Sequence, residues 1–241
     1  MAEAKHDNLT VLRKLEEERN QLVQLGVAAG AGSLAMLVLS SFLVVGLMPV
    51  FPVLAGKLQA ASQRFLLMRE IMEGLDAEGE EVEIHAAIET GEGRGIDLFL
   101  KFPEKEYILI QIRSIADARI GYDEHREVLK IRRKGKSYPW KETDDPLAKL
   151  SWEEQWLRKQ RPELFGDLPR DRKRSLAKVL VLWDDTGLAD HPEHLYATIN
   201  DQKYLTIRRR GTTSIVRRTQ VVSFIKDYLA SRRSQRIPLN S

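Results

Sequence analysis

The pattern of hydrophobic and polar residues divides this chain at Lys57. From Asn20 to Gly56 no residue is charged, and the centre of this stretch consists mainly of Ala, Leu, Val, Gly, Met, Phe and Ser. A helix needs about 20 predominantly apolar residues to cross the hydrocarbon core of a bilayer. We therefore predict an N-terminal transmembrane helix over residues 25–47, which ends before two prolines that interrupt helices.

The residues around this span add expectations about location and partners. Residues 1–24 form a head with leucines at helical spacing, which predicts an amphipathic helix able to lie on the interface or pair with another helix. Residues 25–56 form the transmembrane segment, with a two-helix hairpin as the alternative. Because the chain beyond is more basic than the head, we expect a single-pass membrane protein with a cytoplasmic domain. Small residues from Gly26 to Gly30 suit a homodimer or a membrane-protein partner.

Beyond Lys57 the periodicity changes and predicts an α/β domain with a central mixed sheet flanked by helices, over residues 57–232. A basic tail, 233–241, follows it. Apolar residues at steps of three and four predict a first helix over 58–75. Alternating apolar residues then predict an antiparallel meander of three strands, over 82–88, 96–102 and 108–112. The later predictions are an edge strand over 127–133, a helix over 144–161, a central strand over 176–183, a hairpin of 203–208 with 214–217, and a final helix with Thr219 as its N-cap.

A short loop between the second and third strands fixes their register, because a shift by one residue turns every side chain to the other face. Apolar residues then meet apolar residues in three predicted pairs: Ile96–Ile112, Leu98–Ile110 and Leu100–Ile108. The same register puts Asp97 opposite Gln111, with Arg113 two residues further along that face. An acid, an amide and a guanidinium therefore converge at one end of the hairpin.

This order of elements and these residues resemble the PD-(D/E)xK nuclease fold, in particular its nuclease-related (NERD-like) branch. The family pattern is an acid in the second strand and acid-x-lysine in the third, here Gly95-Ile96-Asp97-Leu98 and Ile110-Gln111-Ile112-Arg113. The resemblance implies a restriction-endonuclease-like domain. In it Asp97 is the metal-binding aspartate, Gln111 stands for the second acid, and Arg113 stands for the catalytic lysine. The resemblance also implies a glutamate on the first helix, for which Glu73 is the candidate metal ligand.

Two departures from the family pattern change the expected chemistry. The implied cofactor, Mg²⁺, prefers anionic oxygens, whereas Gln111 offers a neutral carbonyl. Arg113 stays protonated and cannot act as a base. We therefore expect weakly held Mg²⁺ and a degenerate site that binds nucleic acid with little or no metal-dependent cleavage. The alternative function is a non-enzymatic membrane-tethered scaffold or assembly factor that uses the same fold for protein–protein contacts. A purely structural interpretation of the residues is also open, in which they lie on a solvent-facing sheet surface and Asp97 and Arg113 form a diagonal cross-strand ion pair.

Composition and charge limit the kinds of site and of binding partner that this chain can have. Cysteine is absent, which excludes disulfides, thiolate metal sites and a cysteine nucleophile. The net charge is only +3, but from Lys203 to the C terminus Asp227 is the sole acidic residue. Short basic runs leave three alternatives open: contact with nucleic acid, contact with anionic lipid, or a solvated surface. Their candidate residues are Arg132, Arg133, Arg208, Arg209, Arg210, Arg217 and Arg218.

Overall fold

The computed structural model describes residues 2–37, 50–91, 95–166, 168–209 and 211–235. These residues fold as α/β with a mixed sheet. Their α-helices are α1 (Ala2–Leu37), α2 (Val50–Asp76), α3 (Pro146–Gln160) and α4 (Val221–Ser234). Their strands are β1 (Glu83–Ile88), β2 (Ile96–Lys101), β3 (Tyr107–Arg113), β4 (Ala118–Asp123), β5 (Val128–Arg133), β6 (Lys136–Pro139), β7 (Leu176–Leu182), β8 (Thr186–Leu188), β9 (Tyr196–Ile199), β10 (Gln202–Ile207) and β11 (Thr213–Arg217).

The main sheet has seven strands in the order β1-β2-β3-β7-β11-β10-β9. The antiparallel meander of β1, β2 and β3 and the hairpin of β10 and β11 confirm the predictions. β7 pairs in parallel with both β3 and β11, which makes it the central strand. Its near-continuous apolar sequence follows from this position, because a central strand is covered on both faces.

The main sheet separates two hydrophobic cores. On one face α1, α2 and α4 pack against the sheet, with Leu98, Ile110 and Val179 among the buried residues. On the other face α3 and strands β4 and β5 cover residues such as Phe99 and Leu109. Neighbouring residues of β2 therefore point into different cores, as the period of two in a strand requires.

A second sheet, with the order β6-β5-β4-β8, extends from one end of the main sheet. β4 follows directly after β3 in the chain and β8 follows directly after β7, and the two continue as a parallel pair. At the joint the Ile115 N–H donates to Thr186 Oγ1 at 2.7 Å, and Ser114 Oγ donates to Asp185 at 2.7 Å. The second sheet is thereby fixed next to the C-terminal end of β3.

The helices that the structure describes contradict the prediction of an N-terminal transmembrane helix. None of them has an apolar segment long enough to cross a membrane. Within the described residues the uncharged stretch contributes to two helices, α1 (Ala2–Leu37) and α2 (Val50–Asp76), and both helices also contain charged residues. The prediction of a single-pass membrane location rested on this helix and is contradicted as well. The last part of the predicted span, residues 38–47, lies outside the described residues.

Helices α1 and α2 pack against each other and against the sheet. Leu15 of α1 is buried in the same core as α2 and the meander. The Arg19 guanidinium lies 4.6 Å from the centre of the Phe65 ring, and Arg64 forms an ion pair with Glu18 at 3.4 Å. The Leu54 side chain lies against Gly26, so this small residue serves contact within the chain. The predicted head is therefore the first two thirds of a longer helix.

Helix α1 also covers the free edge of the main sheet through Asn8. The Asn8 amide donates to the Val82 carbonyl at 2.7 Å and accepts from the Ile84 N–H at 2.8 Å. These two hydrogen bonds replace those that a neighbouring strand would make with β1. An edge strand with unpaired backbone groups invites pairing with another chain, and Asn8 removes part of that edge.

Two further predictions about single elements are corrected. The predicted edge strand is β5, which is an interior strand because β4 and β6 pair on its two sides. Thr219 is not the N-cap of the last helix, since α4 begins at Val221 after a 3₁₀ turn and Gln220 occupies the N-cap position. Strands β4, β6, β8 and β9 were not predicted. β6, β8 and β9 have only three or four residues each, whereas β4 has six and its alternation of Ala118, Ile120 and Tyr122 with Arg119, Gly121 and Asp123 was missed.

Candidate functional site

The three site residues predicted on adjacent strands lie together at the C-terminal end of β3. Asp97 on β2 is 7% exposed, Gln111 on β3 is 1% exposed, and Arg113 is 4% exposed. Gln111 projects from the face that α3 covers, whereas Asp97 and Arg113 also border a cavity under α2. The alternative of a solvent-facing sheet surface is therefore wrong. Burial of a charged side chain is costly unless it is paired, so polar partners are expected around each of them.

Strands β2 and β3 separate at this site. Their ladder follows the predicted register through Leu98–Ile110 and Leu100–Ile108 but does not extend to the predicted pair Ile96–Ile112. Instead the Ile112 N–H donates to Asp97 Oδ2 at 2.8 Å. A side-chain carboxylate thus takes the place of a backbone carbonyl, and one Asp97 oxygen is occupied by the fold itself.

A second carboxyl group, Glu153 of α3, completes the cluster and was not predicted. Its side chain is 0% exposed, and the Gln111 amide donates to Glu153 Oε1 at 3.4 Å. Glu153 lies on the stripe of α3 that carries the buried Leu150 and Leu157, one helical turn from each. A charged residue on the apolar stripe of a helix was the sequence signal that could have identified it.

Burial raises the pKa of the Glu153 carboxyl to about 8. Lys149, whose ammonium lies 3.6 Å from Glu153, opposes the shift, as does Arg113, whereas the negative charge of Asp97 increases it. A carboxyl with this pKa is mostly protonated at neutral pH. At that pH Glu153 therefore acts as a neutral hydrogen-bonding group.

Arg113 is the buried cation of this cluster. Its guanidinium donates to the Ile112 carbonyl at 2.9 Å and lies 3.7 Å from the Asp144 carboxylate, just before α3. Asp97 and Arg113 also border a small cavity of about 100 Å³ under α2. On the opposite side of this cavity Gln59 donates to Ser114 at 3.0 Å. The guanidinium is thus held inside the cluster, where it balances the charge of the acids.

These residues do not fit a Mg²⁺ site. Mg²⁺ prefers octahedral coordination by oxygens that include one or two carboxylates. Glu153 is mostly protonated at neutral pH, one oxygen of Asp97 accepts a backbone hydrogen bond, and the Arg113 cation lies beside them. Throughout the described ranges no three His, Cys, Asp or Glu side chains are grouped so as to hold a metal ion. Two buried oxygens, Gln111 Oε1 and Glu153 Oε2, have no hydrogen-bond partner.

Glu73, the candidate metal ligand on the first helix, is not brought to this cluster. Its side chain is 71% exposed and forms an ion pair with Arg69 at 3.7 Å. The part of α2 that borders the cavity beside Asp97 ends at Gln63. Ten further residues of helix place Glu73 about 15 Å along the axis from there. The acid that joins Gln111 therefore comes from α3 and not from α2.

The predicted phosphate-binding arginines differ in how far their charges are engaged within the chain. Arg218 pairs with Glu70 and with Asp184, and its guanidinium lies over the Trp183 ring. Arg209 is held by Glu127 and Asp145. Arg210 lies outside the described residues. The remaining members of the predicted set are exposed: Arg132, Arg133, Arg208 and Arg217.

Comparison with known proteins adds no assignment to this geometry. A scan against protein-family models gave no match, and searches of curated proteins and of solved structures gave none either. The case for a function therefore rests on the residues of this chain.

Proposed function

We propose that this chain binds nucleic acid with a degenerate PD-(D/E)xK-like domain that has little or no metal-dependent cleavage activity. The observation that carries the proposal is the meeting of Asp97, Gln111 and Glu153 around Arg113, where β2 and β3 separate. An acid from the second strand and a polar pair from the third strand are what the resemblance predicts. The carboxyl group of Glu153 beside Gln111 strengthens the proposal, because a purely structural ion pair does not require a second acid.

The topology is a second line of support. A helix, three antiparallel strands, a crossover that contains α3, and a strand parallel to the third occur here in the order α2, β1, β2, β3, α3 and β7. This is the order of elements on which the resemblance was based. Nucleic acid is the favoured partner because phosphates need cationic contacts. The second sheet carries the exposed arginines Arg119 and Arg132, which pair with no acid among the described residues.

Weak or absent cleavage follows from the protonation states in the cluster. A hydrolytic site needs a group that can take a proton or prepare the attacking water. Arg113 cannot release its proton, and Glu153 carries one at neutral pH because burial raises its pKa to about 8. The cluster is then close to electrically neutral, which suits a polar core better than the binding of a divalent cation.

The test is binding and cleavage of labelled duplex DNA and of its RNA counterpart by the full chain. We expect binding that weakens steeply as salt rises from about 50 to 200 mM, and no cleavage with Mg²⁺ above that of Asp97→Asn. Cleavage that disappears in Asp97→Asn would show an active nuclease. Absence of binding to either nucleic acid would contradict the proposal.

The second candidate function is a non-enzymatic scaffold or assembly factor. The observation that favours it is the buried Arg113 in the lysine position, which leaves the cluster a structural role only. A protein partner, a homodimer and anionic lipid contact stay predictions within this candidate. The same experiment separates the two functions, because a scaffold shows no salt-dependent affinity for nucleic acid.

A further inference from the structure

The outer face of the second sheet carries two arginines on neighbouring strands. Arg119 on β4 lies directly opposite Arg132 on β5. The same row of the sheet continues to Gly187 on β8 and to Ser137 on β6. Like charges directly opposite each other in a sheet are destabilising, so this pair costs the fold stability.

Neither arginine is neutralised by another residue that the structure describes. Across the part of the chain that the structure describes, Arg119 and Arg132 form no ion pair with a carboxylate, and both are exposed. Asp123, on the same face of β4, is engaged by Lys130 at 2.6 Å. Two adjacent positive charges therefore remain available to an anion from outside.

Glycines let both arginines lie along the sheet. A Cβ on Gly187 would be 3.3 Å from Arg119 Cγ, and a Cβ on Gly121 would be 3.5 Å from Arg132 Nε. Neither glycine has a positive φ, so the backbone does not require it there. The stem of Arg119 therefore passes close over Gly187 and the guanidinium of Arg132 close over Gly121, which a larger residue at either glycine would hinder.

The hairpin between β5 and β6 extends the positive charge beyond the sheet. Arg133 lies opposite Lys136, and Lys134 and Gly135 form the turn between them. Lys134 has a φ of 49°, a left-handed conformation that lysine adopts at a cost. Strain of this kind concentrates at functional positions. The cationic residues at the tip are all exposed.

We propose that this surface, defined as Arg119 and Arg132 with the tip residues Arg133, Lys134 and Lys136, binds the phosphate backbone of a nucleic acid. The inference rests on the proposed function and names the surface that carries it. Neighbouring strands of a sheet lie about 5 Å apart, so cationic side chains on them can reach neighbouring phosphates of one nucleic-acid strand. The second sheet also continues directly from β3 and β7, which places this surface on the structural unit that holds the Asp97 cluster.

The test compares the salt dependence of affinity in three forms of the full chain. The wild type, Arg119→Ser/Arg132→Ser and the control Lys203→Ser/Lys226→Ser are titrated against labelled duplex DNA by fluorescence anisotropy from about 50 to 200 mM salt. The control removes the same charge from lysines that already pair with Glu193 and Glu78. The association constant K falls as salt rises, so the slope of log K against log salt is negative. We expect this slope to become less steep by about 2 in the arginine variant and to change much less in the control.

The outcomes separate this inference from the function on which it rests. If the wild type binds DNA and both variants keep its affinity and its salt dependence, the proposed surface does not bind the DNA. The proposal of nucleic-acid binding then stands, with another face as the binding surface. If the wild type binds neither DNA nor RNA, both proposals fail. If it binds only phosphatidylserine vesicles and the arginine variant loses that binding, the surface recognises lipid and the nucleic-acid inference is overturned.

Loss of folding does not account for the expected result. Removing one or both of the opposed arginines relieves repulsion, so the urea midpoint of the arginine variant should equal or exceed that of the wild type. A lower midpoint together with lost binding would call for Arg119→Gln/Arg132→Gln, which keeps side-chain length. Unchanged DNA affinity in that folded variant would overturn the inference.

Discussion

Glu153 shows how one residue sets the charge of the candidate site. It is fully buried, hydrogen-bonded to Gln111, and close enough to Asp97 and Arg113 for their charges to affect it. Because burial raises its pKa to about 8, the folded protein keeps a proton that the unfolded chain releases near pH 4.5. The free energy of unfolding therefore falls as pH rises between these two values and levels off above about 8.

Replacing this carboxyl with an amide should remove that pH dependence. At pH 5 Glu153→Gln should be about as stable as the wild type, and at pH 9 it should be more stable by about 3 to 5 kcal/mol. The measurement is urea unfolding at several pH values. Glu17→Gln, at an exposed position of α1, is the matched control for the change in charge. An equal effect of Glu153→Gln at pH 5 and pH 9 would contradict the raised pKa.

At the scale of an element, the β5–β6 hairpin combines a tight turn with an unfavourable residue. Lys134 and Gly135 both have positive φ, at 49° and 73°, which is the geometry of a two-residue type I′ turn. Asn-Gly is the preferred sequence for this turn, because asparagine tolerates the left-handed conformation. The chain instead places a lysine there, so local stability is lower than the turn allows.

Lys134→Asn should therefore stabilise the protein by about 0.5 to 1 kcal/mol. The measurement is the urea midpoint of the full chain. Lys136→Asn serves as the control, because this residue lies in β6 and has no positive φ. A midpoint that does not rise in Lys134→Asn would mean that the lysine conformation carries no strain.

At the scale of the whole molecule, α1 belongs to the same folded unit as the sheet. Leu15 is 3% exposed within the core shared by α2 and the meander, and Asn8 bonds to the edge of β1. All four tryptophans of the chain lie beyond Lys57. Their fluorescence therefore reports on the α/β part and is independent of any signal from α1 itself.

Leu15→Ala should lower the free energy of unfolding by about 2 to 4 kcal/mol. Tryptophan fluorescence should report this loss as a lower urea midpoint. The reason is that a cavity in a shared core destabilises every element that lines it. Leu9→Ala is the matched control, since Leu9 is about half exposed on the same helix. An unchanged tryptophan transition in Leu15→Ala would show that α1 folds apart from the sheet.

The parts of the fold that sequence could predict are those with local periodicity. β1, β2 and β3 have alternating apolar residues, and the pairs Leu98–Ile110 and Leu100–Ile108 follow from a short loop and a period of two. The same argument placed Asp97, Gln111 and Arg113 on one face. Their burial could not be predicted this way, because alternation alone does not tell which face of a sheet another layer covers.

The sequence by itself therefore determined the meander, its register and three members of the candidate site. Only the tertiary structure decided that Glu153, 42 residues after Gln111, joins them, because the crossover to β7 lays α3 across β3. It also decided which helices contain the described part of the uncharged stretch. A run without charges shows only that apolar groups need cover. Among the described residues this run belongs to α1 and α2, where Leu54 packs against Gly26 while Leu25, Val27 and Val53 stay exposed, so contact between the two helices covers it only in part.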